Sequence, residues 1–270
     1  MSEIQKKYQI GVRKFGLINW IGTYNLYVKE VYRFFNVWVQ TLLSPLISSL
    51  LFLSVLSLAI GNERGDVLGF PFISFLAPGL IAMSIIQQSF AHSSSSLMIG
   101  KIQGNIIDTL LAPLSAAEVT LAIILAAVSR SMIITIISII VFSLIIEMHI
   151  YNFFYIFIFA FLGSFILGAL GFITGLWAEK FDHMATVTNF IIVPLSFLSG
   201  TFYSLEKLPN FLVTISYYNP FFHMIDGFRY SFINNMDGSI KFGLNYLFLV
   251  SIVLWIIAYT LYKKGYKIKS

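Results

Sequence analysis

Arg130 lies about twelve residues inside an apolar run that extends from about Val119 to Ile146. At about 1.5 Å of rise per residue this puts its guanidinium near mid-depth of a membrane-spanning helix. A charge at that depth costs about 2.5–3.5 kcal/mol on insertion scales. The run offers it no near acid, because Glu118 and Glu147 are each at least twelve residues away. Its partner is therefore expected on another span, among backbone carbonyls or water, or in an anionic ligand group. Pathway contact and structural pairing both stay open.

The other polar groups do not compose a catalytic set. No pair of acids and no Ser/His combination has a spacing that makes a reacting geometry, so no catalytic residues are expected. Cysteine is absent, which removes thiol chemistry and disulfides. Neither Cys-x-x-Cys nor His-Glu-x-x-His occurs, and no metal site is expected. Gln87, Gln88, Ser89 and His92 gather near one end of an apolar run, as interfacial solvation or as the lining of an inner gate. Glu179, Lys180, Asp182 and His183 crowd a short loop. Ser164/Gly168 and Gly171/Gly175 are small-x-x-x-small pairs that let helices approach closely. Ile102, Ile106, Thr109 and Leu110 can share one face of a short helix that Pro113 stops.

These residues sit on a chain that is 58% hydrophobic and 11% charged, with a mean hydropathy of +0.85. A soluble domain needs more polar surface. Six runs are long enough to cross a bilayer as helices of about 20 residues: about 37–60, 70–98, 119–146, 153–177, 186–202 and 242–262. The runs are continuous instead of alternating, which favours helices over barrel strands. With the N-terminus inside, the inner segments hold twelve Lys and Arg and the outer segments four. Both termini are then cytoplasmic. So are the Lys101 and Lys180 loops, while Glu63, Glu147 and Lys207 lie outside. The +5 formal charge reflects this orientation, and nucleic-acid binding is not expected. The first 36 residues lack the pattern of a cleavable signal peptide.

Two segments outside the spans are patterned. In residues 17–36, Trp20, Tyr24, Tyr27, Val31, Phe34 and Phe35 recur at helical spacing, with Lys29, Glu30 and Arg33 largely elsewhere on the wheel. That predicts an amphipathic helix on the inner membrane surface, touching lipid. It divides the chain into a tail and interfacial helix (1–36) and a six-span domain (37–270). Between the fifth and sixth runs, residues 198–233 are too apolar for a solvated loop. Pro209 and Pro220 divide them into two short helices expected to dip into the outer leaflet, with Phe211, Leu212, Ile215 and Tyr218 on one apolar face.

The order Leu198-Ser-Gly200-Thr-Phe-Tyr203, Leu205-Glu-Lys-Leu-Pro209, Asn219-Pro220 and Asp226-Gly-Phe-Arg229 resembles the signature of type-2 ABC-transporter permeases. The inner run from Ile107 to Ser115 is similar to that family's coupling-helix region, and Val31–Gly61 to its first helix and span. The resemblance covers nearly the whole chain in one register. It implies an all-α permease of six spans, paired with a second permease copy and with a separate ATP-binding cassette ATPase. Export of a drug-like, lipid or glycan substrate across a bacterial cytoplasmic membrane follows from the variants resembled most. ATP and magnesium belong on the ATPase, and no cofactor is expected here, since the chain has no Gly-x-x-x-x-Gly-Lys-[Ser/Thr] loop. The resemblance puts coupling to the ATPase on Lys101, Ile102, Ile106, Asp108, Leu110 and Pro113. An ion-coupled secondary transporter is the rival reading; it calls for internal repeats and broken midplane helices, of which no repeat is evident, while Pro45, Pro78 and Pro194 could break helices. A membrane scaffold is a third.

Overall fold

The computed structural model describes residues 16, 18–60 and 65–268. Most of the expected N-terminal tail, together with Glu63, Arg64 and Lys269, lies outside the described residues. Helix α1 spans Trp20–Phe35, started by the Asn19 side chain, which accepts from the Gly22 amide at 3.0 Å. After a short turn come a wide turn at Val39–Leu43 and α2 (Ser44–Ile60). Helix α3 runs Phe72–Ile102, α4 Ile106–Leu111, α5 Ala116–Ser143 and α6 Phe153–Trp177. The next span is composite: α7 (Phe181–Val187), a wide turn (Thr188–Ile192) and α8 (Val193–Leu198). The chain closes with α9 (Asn210–Tyr218), α10 (Pro220–Ile233) and α11 (Ile240–Lys263).

Six of these units are long and apolar enough to cross a membrane. The protein is an all-α membrane protein, with no strand among the described residues. The fifth span begins at Phe181, earlier than expected, because Asp182 and His183 sit in the first turn of α7, where backbone amides face outward anyway. Helix α3 has 31 residues, about 46 Å at helical rise. That exceeds the hydrocarbon thickness of about 30 Å, so its serine-rich last turns reach past the apolar layer.

Spans two and four, α3 and α6, form the centre and pack most extensively against each other, with α5, α10 and α11 around them. The reason lies in glycine. A Cβ on Gly171 would collide with the Phe90 carbonyl, and one on Gly175 would meet the Ser94 carbonyl at 2.9 Å. Gly168 lies against Ile124 and Ala127 of α5, and Ser164 is fully buried. All four small residues therefore serve contacts within this chain. Without side chains at the three glycines, helices approach closely and dispersion contacts multiply.

Proline shapes the two peripheral spans. Pro45 and Pro194 have no N–H to offer the carbonyls of Thr41 and Phe190. Each helix opens just before its proline, with Ser44 N–H reaching back to Val39 and Val193 N–H to Thr188. Such single π turns inside an α-helix, like proline itself, are places where a helix kinks. Pro78 lies inside α3, which continues through it.

Loops sort to two ends. Lys101, Ala178, Glu179 and Lys267 meet at one. Leu68, Ser204, Asn235 and Asp237 meet at the other.

Candidate functional site

At the Lys101 end, α4 is a short helix set between α3 and α5. Ile106 is buried, whereas Ile102, Ile107, Leu110 and Leu111 are exposed, Leu111 to 80%. The expected shared face is thus divided. Ile106 turns inward under α1 and α5, and Leu110 stays out beside Ile107 and Leu111. Asp108 is exposed in the first turn. Lys101 also turns inward: its Nζ donates to the carbonyls of Leu176 at 2.8 Å, Gly175 at 3.2 Å and Ala178 at 2.5 Å. A cation there satisfies the open carbonyls at the C-terminus of α6 and complements its dipole. Lys101 accordingly ties span two to span four instead of presenting its charge outward. Beside it, the Lys267 ammonium bonds Glu179 at 2.8 Å and holds that exposed carboxyl below the usual carboxylate range.

Pro113 ends α4 and its carbonyl accepts from Asn19 Nδ2 at 3.0 Å. Next to it Glu118, buried, receives the Ser115 amide at 2.6 Å and the Asn19 amide at 2.5 Å. One carboxylate thereby caps α5 and anchors the entry of α1. The Ser115-x-x-Glu118 pattern is a capping box visible in sequence. The Asn19 contact is not visible there, because it joins residues 99 apart.

Helix α1 reverses one expectation. Trp20 and Tyr24 are exposed, while Glu30, assigned to its polar face, is buried against the protein. Glu30 Oε2 accepts from Arg33 Nε at 2.9 Å and from Ser96 Oγ at 2.8 Å. Arg33 also donates to the His92 carbonyl at 3.0 Å. A charge pair so satisfied can face the protein interior, and the expected aromatic face is split: Trp20, Tyr24 and Phe35 stay exposed, while Phe34 is buried against His92 and the Tyr27 hydroxyl meets Ser129 at 2.7 Å. Deeper along α3, Arg130 donates to the Gln88 side-chain oxygen, and its Nε has no partner. Gln88, His92, Glu30 and Arg33 were not recognisable as one group in sequence, because they come from two separate segments. No acid pairs with Arg130 among the described residues.

At the opposite end, α10 is almost wholly buried and α9 carries exposed Phe211, Ile215 and Tyr218. Pro209 precedes α9, and Pro220 opens α10. Asn219 caps α10 by accepting the Phe221 amide at 3.1 Å, and its Nδ2 reaches the Leu195 carbonyl at 3.0 Å and Ser199 Oγ at 2.8 Å. Gly200 has φ +73°, a left-handed turn where a side chain would be strained. Its carbonyl accepts from Arg229 at 2.6 Å. Arg229 is fully buried, also donates to the Phe75 carbonyl at 3.2 Å, and stacks 3.8 Å above the Phe75 ring. Asp226 accepts the amides of Asp237 at 3.0 Å and Gly238 at 2.8 Å, fixing the turn into α11. The motif residues Gly200, Asn219, Asp226 and Arg229 thus clasp the hairpin to spans two, five and six. Among the described residues no three His, Asp or Glu side chains gather as a metal site.

Comparison with known proteins agrees with this architecture. The family model for ABC-2 type transporters matches residues 23–233. The inner membrane transport permease YadH of Escherichia coli (strain K12) is 31% identical over 253 residues, covering 93% of this chain and 98% of that protein. Nodulation protein J of Sinorhizobium fredii is 20% identical over 242 residues, covering 87% of this chain and 89% of that one.

Proposed function

The chain belongs to the ABC-2 type transporter family, and we propose that it is the permease half of an exporter driven by a separate ATPase. It is a membrane subunit of an ABC transporter; the proposal adds direction, motor and cargo. Two copies pair in a bacterial inner membrane, with both termini and the Lys101 end cytoplasmic. ATP and magnesium act on the partner chain, and the cargo is drug-like, lipid or glycan. The observation that carries the reading is α4. A six-residue helix that turns Ile106 in and leaves Ile107, Leu110 and Leu111 out offers an apolar knob to a soluble partner. Through Pro113, Asn19 and Glu118 that knob is tied to α1 and α5, so its displacement reaches the spans.

The test is a double variant, Ile107→Asp with Leu111→Asp, purified from its own host's membranes beside the unaltered chain. The unaltered chain should carry vanadate-sensitive ATP hydrolysis. The double variant should insert and melt normally and lose at least tenfold of that activity. Hydrolysis retained in full would remove α4 from the coupling surface. Transport that persists without any hydrolysing partner and collapses with an ionophore would favour the ion-coupled alternative.

A further inference from the structure

Helix α3 is the most covered of the candidate spans, yet one strip of it stays open. Gln87, Gln88 and Ser95 are half-exposed and Ala91 is exposed. Positions 87, 88, 91 and 95 fall on one helix face. The neighbouring open surface is mostly apolar: Leu43, Ile47 and Leu51 on span one, interleaved with exposed Gln40, Ser44 and Ser48, and Ile136 and Ile140 on span three. Two half-exposed amides within a span are costly in an apolar layer unless something polar meets them.

Behind the strip stands an uneven set of charges. Arg130 and Arg33 are two cations, and Glu30 is the carboxylate paired with Arg33. Arg33 also reaches buried His92, with its guanidinium 3.5 Å from Nδ1 and 3.0 Å from the carbonyl. Glu30 is already engaged by Arg33 and Ser96, which leaves Arg130 with a neutral amide oxygen and an unpaired Nε. The Gln88 side chain links Arg130 to the open strip. Its oxygen is held by Arg130, and its NH2 has no protein acceptor among the described residues. A group that completes this arrangement must be an acceptor, must carry negative charge, and must arrive through an apolar surface.

We propose that the Gln87–Gln88–Ser95 strip with Arg130 behind it binds the anionic headgroup of an amphiphile. The guanidinium and the Gln88 NH2 donate to a phosphate or carboxylate, while the tail lies along the open faces of spans one and three. A planar guanidinium suits an oxyanion better than an ammonium does. This rests on the transport reading only in regarding the occupant as cargo.

The test needs no ATPase and no nucleotide, so its failure and that of the transport reading are separable. The full chain is placed in phosphatidylcholine nanodiscs, and equilibrium binding of decyl phosphate is compared with that of decyltrimethylammonium. The anion should bind saturably and at least tenfold more tightly. Arg130→Gln should erase that preference. Gln88→Glu is the second variant: it keeps the shape, gives Arg130 an internal carboxylate, and should fold well while losing anion binding tenfold or more. Equal binding of the two probes would overturn the proposal, as would a folded Gln88→Glu chain that binds decyl phosphate like wild type. Repeating the titration with phosphatidylglycerol in the disc identifies the source. Competition means that a bilayer lipid fills the same anion site, and its absence means that the site is kept for a transported amphiphile.

Discussion

Glu118 makes two charge-assisted bonds that its neighbours cannot replace. Both its oxygens accept backbone amides, one at the start of α5 and one ahead of α1. Glu118→Gln keeps one acceptor and turns a donor toward the other amide. An unmet buried amide costs about 1–3 kcal/mol. The expected result is a lower melting temperature in detergent and faster proteolysis near residue 19. Unchanged melting would show that Asn19 finds another acceptor. Half of this site was legible: a serine three residues before a glutamate marks the cap, whereas the reach to Asn19 depends on tertiary placement. Arg130 divides the same way. Its burial and its lack of a same-helix acid follow from spacing, but nothing in an isolated amide singles out Gln88 as the partner.

Among elements, α3 and α6 behave as one body because glycine lets their backbones touch. Gly171→Val puts a branched Cβ in collision with the Phe90 carbonyl oxygen, and overpacking of this kind costs about 1–3 kcal/mol, sometimes more. Folded yield should fall severalfold. Gly65→Ala, at a position with open space around it, should leave yield unchanged and serves as the control. A normal yield for Gly171→Val would mean that the two spans can separate at no cost. The spacing of the small residues was readable in advance; which helix they meet was not, since small-x-x-x-small pairs look alike inside a subunit and between subunits. Helix α4 shows a similar limit. Its existence could be read from the pattern, but the direction of Ile106 depends on α1 and α5 closing over it.

For the molecule as a whole, the described loops gather at two ends, as six crossings require. Single cysteines at Lys180 and Lys207, in a chain without native thiols, should respond differently to an impermeant thiol reagent on intact cells. Position 207 should label and position 180 should not; labelling at 180 would invert or overturn the orientation. The six spans were legible because each is a continuous apolar run, and the composite fifth span was misplaced at its start because polar residues in a first helical turn look like a loop. The wide turns before Pro45 and Pro194 have a larger consequence. In an α-helix each residue turns the chain by about 100°, so a turn that holds one residue too many is a rotation already dialled in. Returning it to α geometry would swivel the half-span on one side against the half on the other, exchanging the face that spans one and five present without sliding either through the bilayer. Deleting Gln40 would lock that swivelled register. The expected outcome is normal insertion with transport lost, and a deletion variant that still transports would make the span-one turn a mere proline scar and not an axle.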